Sequence, residues 1–497
     1  MEKLAIIELN EVGLKLSILK VSNGKFKLEN ENFDYFDLFS EVRADKLLKP
    51  KTISSLITTL KMYKRIIDMN GIEKTMTLAY PFLMKARNQK GFFDEVYNNT
   101  NMSFSYINDE EYIKDIYTSV SNLIDGTKGV IVSIGANDVA LIKYNRRTTL
   151  GSQVLHFGVL STLYNDNGER REYKDMIKYA LDEMKSSDFE IPTDEELSFI
   201  GIGNPFINLG RIAKKIERYP LLLDNNYQVK KESFEKVEKF LSELEFEKVK
   251  KVKGLVDSAD MLLVGMAVIN AAFEYLKMNA VTISTANFRD GHVRNAIATE
   301  NIDRYSDMLA NSFDSYREFL PFDTDVNLRV NNMSNILFKQ LKVMHKLPRA
   351  YVKALRIASY MYNCGKLISE VDYEKHGFYV ILNSSLAGIS QKDLLLGAFT
   401  CLCQSPDDFN ISEWIKYQSI VTEEDLDAVR KMGLIIKLAA ALNSSKEPVV
   451  TDVICDILGD SVILKTVSAT DPIYEVTQGM KVADEYRKQF KKNLQLI

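Results

Sequence analysis

A chain of 497 residues exceeds what one hydrophobic core can organise and should divide into about three domains. Its hydrophobic fraction of 46%, charged fraction of 27% and formal net charge of −4 describe a folded globular protein and exclude the basic surplus of a general nucleic-acid binder. No apolar run reaches the length of a membrane-spanning helix, the first residues lack the basic start and apolar centre of a secretion signal, and the four cysteines are too few for a disulfide framework. A reduced, bacterial-type cytoplasmic location, with no membrane and no nucleic-acid partner, is the expectation.

In chain order, Leu4–Val21 (LAIIELNEVGLKLSILKV) is an apolar strand, a polar Gly-containing turn and an alternating strand, which reads as a hairpin. Lys25–Phe39 supplies a further polar strand or edge. Lys51–Met69 carries Ile53, Leu56, Ile57, Leu60, Tyr63, Ile66 and Ile67 at helical period. A short strand at Thr75–Tyr80 is followed by a helix over Leu83–Tyr97, then a strand at Phe104–Ile107. Asn108-Asp109-Glu110-Glu111 opens a helix running to Ile124, its carboxylates suiting the positive helix end.

Gly129–Tyr144 (GVIVSIGANDVALIKY) repeats the form of the first hairpin, with Thr149–Phe157 as its third strand. Two such units suggest a duplicated domain with a cleft between the copies. A helical period fills Arg171–Lys185, and the strand Leu197–Ile202 runs into Gly201-Ile202-Gly203 and a helix over Phe206–Glu217. Backbone N–H groups at such a junction either face an anion or merely make a tight turn. Val256–Leu276 is a buried helix, Val281–Thr285 a strand, and Asn287-Phe288-Arg289-Asp290-Gly291 a turn into another helix. Beyond Asp307 helical periods dominate, ending in two short strands, Val449–Ile454 and Ser461–Val467. On a helix, Cys401 and Cys403 point about 200° apart, so buried thiols rather than a metal pair are expected. His156 and His292 read as single structural histidines.

The segments AIIELNEVGLKLSIL, INDEEYIKDIYTSV, VIVSIGANDVALI, VLHFGVLSTL, FIGIGNPFINLGRI, SADMLLVGMAVI and ANFRDGHV cover residues 4–297. In that order they resemble the exopolyphosphatase/guanosine-pentaphosphate phosphohydrolase (Ppx/GppA) family. The resemblance implies an α/β fold with two actin-like, ribonuclease H-like lobes (1–125 and 126–305) around a cleft. An all-helical HD-like domain with a small extension (306–497) would follow, and a homodimer is implied. It also implies Mg²⁺-dependent release of terminal phosphate from polyphosphate or guanosine pentaphosphate.

Carried over position by position, the family's first loop, Asp-Ile-Gly-Ser-Asn-Ser, falls on Glu8-Leu9-Asn10-Glu11-Val12-Gly13. Glu8 takes the metal-side carboxylate and Asn10 faces phosphate, while Glu11 adds a carboxylate. The second loop falls on Ser133-Ile134-Gly135-Ala136-Asn137-Asp138. Gly135 and Asn137 remain as phosphate-loop residues, with a carboxylate at Asp138 where a hydroxyl would donate. The catalytic base, which activates water, falls on Glu111, with Glu110 the alternative; a carboxylate merely complementing the helix dipole is the plain reading. Gly203 and Arg289 complete the phosphate set, the latter either gripping phosphate bidentately or merely pairing with the neighbours of Asp290. In the HD-like region Met361-Tyr362-Asn363-Cys364-Gly365, His376 and Gln404 retain one histidine of a metal motif. Two readings follow: a phosphoanhydride hydrolase, or a weak or inactive relative keeping the cleft for polyphosphate or nucleotide binding, regulation or assembly.

Overall fold

In the computed structural model, residues 1–146, 148–165, 167–191, 197–243, 259–298, 307–320, 324–403 and 411–497 are described. The chain forms two compact units, Met1–Arg218 with Asp224–Met308, and Tyr219–Leu223 with Leu309–Ile497. The expected boundary at 305/306 and Gln404 lie outside the described residues.

The first unit holds two sheets. One is built from β1 (Glu2–Asn10), β2 (Gly13–Ser22), β3 (Lys25–Tyr35), β4 (Lys74–Ala79) and β5 (Ser105–Tyr106), in the order β3-β2-β1-β4-β5. The other uses β6 (Lys128–Ile134), β7 (Val139–Asn145), β8 (Thr148–Leu155), β9 (Ser198–Ile202), β10 (Tyr227–Lys230) and β11 (Ala280–Ser284), in the order β10-β11-β9-β6-β7-β8. In both, an antiparallel three-strand meander is joined to parallel strands: β1 pairs antiparallel with β2 and parallel with β4, as β6 does with β7 and β9. The duplication read from the two hairpins is therefore a repeated topology, and the α/β, two-lobed, actin-like class describes it.

Strand β1 is apolar on both faces because both are covered. Ala5, Ile7 and Leu9 pack with Leu56, Leu60 and Phe82, while Leu4 and Ile6 pack on the opposite side with Ile116, Val120, Ile131 and Phe288. That second cluster joins residues of both sheets through helices Asp109–Ser121 and Phe288–Ile297. Alternating side chains on a doubly buried strand give the continuous apolar run seen in the sequence.

Several elements differ from the sequence reading. The expected helix over Leu83–Tyr97 is a 3₁₀ turn, Pro81–Lys85, and a separate helix, Gln89–Thr100. Asn88 breaks it: its side-chain amide is held by the backbone of Leu48, accepting at 2.9 Å and donating at 2.8 Å. After β3 the chain turns into a helix, Leu38–Asp45, capped by Asp37, where an extended edge was expected through Phe39.

The second unit is mainly helical. Helices Thr324–Gln340, Val352–Tyr360, Gln391–Leu402 and Glu423–Ala441 bury Val330, Leu355, Phe399 and Ile435 in one core. A three-stranded sheet, β12 (Val450–Leu458), β13 (Ser461–Ser468) and β14 (Asn493–Leu496), lies in the order β12-β13-β14; the third strand was not expected. His376 is partly exposed in helix Tyr373–Leu382, and Cys364, Cys401 and Cys403 are buried free thiols. Among the described residues no helix is long and apolar enough to cross a membrane.

Gly203 joins β9 to helix Asn204–Glu217 at φ +105°. A Cβ there would lie 2.2 Å from the Ile134 carbonyl oxygen. Gly203→Ala should cost roughly 1–3 kcal/mol in backbone strain, with the overlap added. Gly151→Ala on β8, where nothing lies within 4 Å, should change stability by less than about 0.5 kcal/mol. Urea unfolding midpoints compare the two; equal effects would contradict this account of the junction.

Candidate active site

The two hairpin turns and the start of helix Asp109–Ser121 surround a pocket of about 310 Å³. Its lining comes from five places in the chain: Glu11 after β1, Tyr80–Lys85 after β4, Ile107–Tyr112, Asn137-Asp138 between β6 and β7, and Val154 and His156 at the end of β8.

The loop after β6 is tight. Gly135 N–H donates to the Asp138 carbonyl at 2.8 Å, and Val159 N–H donates to Gly135 at 3.2 Å. Asp138 folds its side chain back over the loop, so that a Cβ on Gly135 would meet its two carboxylate oxygens at 2.6 and 2.7 Å. The Tyr112 hydroxyl donates to Asp138 Oδ1 at 2.6 Å. Burial, and then the Asp138 charge, push the Tyr112 phenol well above its ordinary value, so it remains a donor. The loop's own carboxylate therefore fills the space beside Gly135.

Opposite stands Glu11, 4% exposed. Burial, and then Asp138, push its carboxyl up to about 8. Burial also raises Asp138, against the Tyr112 bond and His156. His156 Nε2 lies 3.4 Å from Asp109 Oδ2 at the rim.

The expected site residues divide. Asn137 lines the pocket, and Gly135 lies under Asp138. Glu8 is one residue removed: Tyr80, which lines the pocket, donates to its Oε1 at 3.2 Å, while its buried Oε2 has no partner. Asn10 shapes the first turn, accepting from Val12 N–H at 3.0 Å, and Gly203 packs on Ile134. Neither lines the pocket. Arg289 donates to Asp290 at 2.8 Å and to Ser17 at 3.2 Å, and is paired with Glu31; its fork is used inside the protein. Glu110 and Glu111 are exposed, and Glu111 is in a capping box, its N–H donating to Asn108 at 2.9 Å. On a helix Asp109 and Tyr112 share a face, and the two intervening residues turn away by about 100° and 200°. The carboxylate this helix presents to the pocket is thus Asp109, and Glu111 is placed by the geometry as a helix cap. The helix face was readable from the spacing of Asp109 and Tyr112; the roles of Lys85 and His156 had no local signal.

Mg²⁺ wants ionised oxygen donors, usually one or two carboxylates with substrate phosphates. Burial pushes Glu8 up from the usual carboxylate range, against Lys15 and Arg289, and Glu11 holds its proton to about pH 8. Among the described residues no group of three or more His, Cys, Asp or Glu could hold a metal ion. The donor set does not fit a resident Mg²⁺.

A sequence profile of the Ppx/GppA phosphatase family matches residues 17–300, and one of Ppx/GppA phosphatase, domain III, matches residues 312–472. No match emerges among curated protein sequences. Among solved structures, an Aquifex aeolicus Ppx/GppA family member superposes with TM-score 0.51 at 18% identity, over 61% of this chain and 99% of its own. A Cytophaga hutchinsonii exopolyphosphatase gives 0.52 at 18%, over 60% and 98%. At these identities the likeness is one of fold.

The state of Glu11 has a measurable consequence. The folded protein keeps this proton up to about pH 8, while an unperturbed carboxyl loses it near 4.5. The folded state then binds more protons between these values, and stability falls as pH rises through the window. Glu11→Gln should therefore gain on wild type by roughly 2–5 kcal/mol between pH 5 and pH 8.5, read from urea unfolding. A gap independent of pH would contradict it.

Proposed function

The chain belongs to the Ppx/GppA phosphatase family, and from that premise we propose that it is a non-hydrolysing member whose interlobe pocket serves ligand binding, in a regulatory or assembly role. At family level its cleft is a Ppx/GppA-type site; the proposal concerns what this version of the cleft does. The observation that carries it is the Asp138 carboxylate seated against Gly135 and held there by Tyr112.

Phosphoryl transfer depends on positioned donors and charge neutralisation rather than on covalent chemistry from the protein. A terminal phosphate entering this loop meets a fixed carboxylate instead of a hydroxyl donor. Two unit charges ~5 Å apart at an effective dielectric of ~20 repel by ~3 kcal/mol, about a hundredfold in affinity. Lys85 is the single Lys or Arg among the lining residues, and Arg289 is engaged by Asp290, Ser17 and Glu31. The expected base, Glu111, caps its own helix. Polyphosphate and guanosine pentaphosphate are therefore not turned over in this reading.

Purified protein with long-chain polyphosphate, or with guanosine pentaphosphate, and Mg²⁺ should release phosphate no faster than a Glu111→Gln variant or buffer alone. Release by wild type above the buffer rate would overturn the proposal and restore the hydrolase reading, whether or not it disappears in Glu111→Gln.

A further inference from the structure

The same pocket has a character that suits a different class of ligand. Its walls are apolar and aromatic (Tyr80, Phe82, Met84, Ile107, Val154), and three carboxylates, Glu11, Asp109 and Asp138, converge on it. Apolar walls with a few convergent polar groups are the usual form of a small-molecule site. The Glu11 carboxyl is 4% exposed and lines the cavity, and the hydrogen bond it receives comes from its own backbone N–H. A carboxyl group bonded within its own residue keeps further hydrogen-bonding capacity, and the cavity beside it is where a second partner would stand. The walls already tolerate a positive charge: Lys85 Nζ lies 5.8 Å from the Phe82 ring centroid, within cation–π range.

Resting on the reading of the cleft as a non-hydrolysing site, the geometry points to a binding site for a small organic cation, an ammonium or amidinium head on an apolar body. The head lies between Glu11 and Asp138, and the body lies against Tyr80, Phe82 and Met84. A planar amidinium matches a carboxylate with two parallel hydrogen bonds, and low local dielectric strengthens the pair once water is displaced. An anion of the same size would face the Asp109 and Asp138 carboxylates, with Lys85 the single Lys or Arg of the lining.

Binding should displace the Glu11 proton. Asp138 and Lys85 act directly on Glu11; Asp109, Tyr112 and His156 act on Asp138, and Tyr80, in the pocket wall, donates to Glu8. A ligand that is itself charged throughout the range should therefore bind more tightly as pH rises, by up to about tenfold per unit below pH 8, and level off above it.

Benzamidine is a direct probe, with benzamide as its uncharged counterpart and inorganic tripolyphosphate as an anion. Titration calorimetry on the full chain should show saturable one-to-one binding of benzamidine, tightening between pH 6 and pH 8, and none of benzamide. Glu11→Gln and Asp138→Asn, each checked for an unchanged circular-dichroism spectrum, should weaken benzamidine at least tenfold; the wild-type pH series stands if one variant fails to fold. No saturable benzamidine binding, equal affinity in both folded variants, or benzamide binding as tightly would overturn the inference. Failure of benzamidine with no phosphate release leaves the non-hydrolysing reading intact. Phosphate release removes that reading whatever benzamidine does.

Discussion

The hydrogen bond from Tyr112 to Asp138 organises this cleft. It joins the first turn of helix Asp109–Ser121 to the loop between β6 and β7, and its length of 2.6 Å is that of a bond to a charged oxygen. Raised well above its ordinary value by burial and then by the Asp138 charge, the phenol keeps its proton and donates it to Asp138. The carboxylate is thereby held against Gly135, and the loop is closed by its own side chain. A bond between a helix and a hairpin loop thus fixes where a carboxylate stands in the pocket between them.

Asp138 also bears on its acidic neighbour across the pocket. Burial first, and then the Asp138 charge, raise the Glu11 carboxyl to about 8, so Glu11 keeps its proton. Arg289, a cation from helix Phe288–Ile297, is drawn instead to Ser17 and Glu31 on β2 and β3 and to Asp290. There it ties the helix to the first sheet. The same helix receives Asp115, whose carboxylate is bonded by His292 and Asn295 at 2.7 and 2.6 Å. Polar groups available for anion binding are thus spent on holding the lobes together.

The doubled architecture was legible because its signal is local. Each hairpin places an apolar strand, a Gly-containing turn and an alternating strand within one short segment, and strand period is visible there. Site residues were less legible, since alignment along a chain does not say which face of a helix meets a cavity. Glu111 and Tyr112 are neighbours in sequence and lie about 100° apart around the helix axis; the tyrosine enters the cleft and the glutamate caps the helix. His156 arrives from a distant segment, and only the fold brings it to Asp109. The break at Asn88 was hidden for a similar reason: its partner, the backbone of Leu48, is forty residues away.

The central claim is that the chain's own carboxylate occupies the place of a bound anion. Titration of inorganic tripolyphosphate into wild type and Asp138→Ser, without added metal, tests it most directly. The account predicts no measurable binding to wild type and a gain in the variant of up to about two orders of magnitude, the equivalent of ~3 kcal/mol of relieved repulsion. Wild type binding tripolyphosphate as tightly as Asp138→Ser would contradict it.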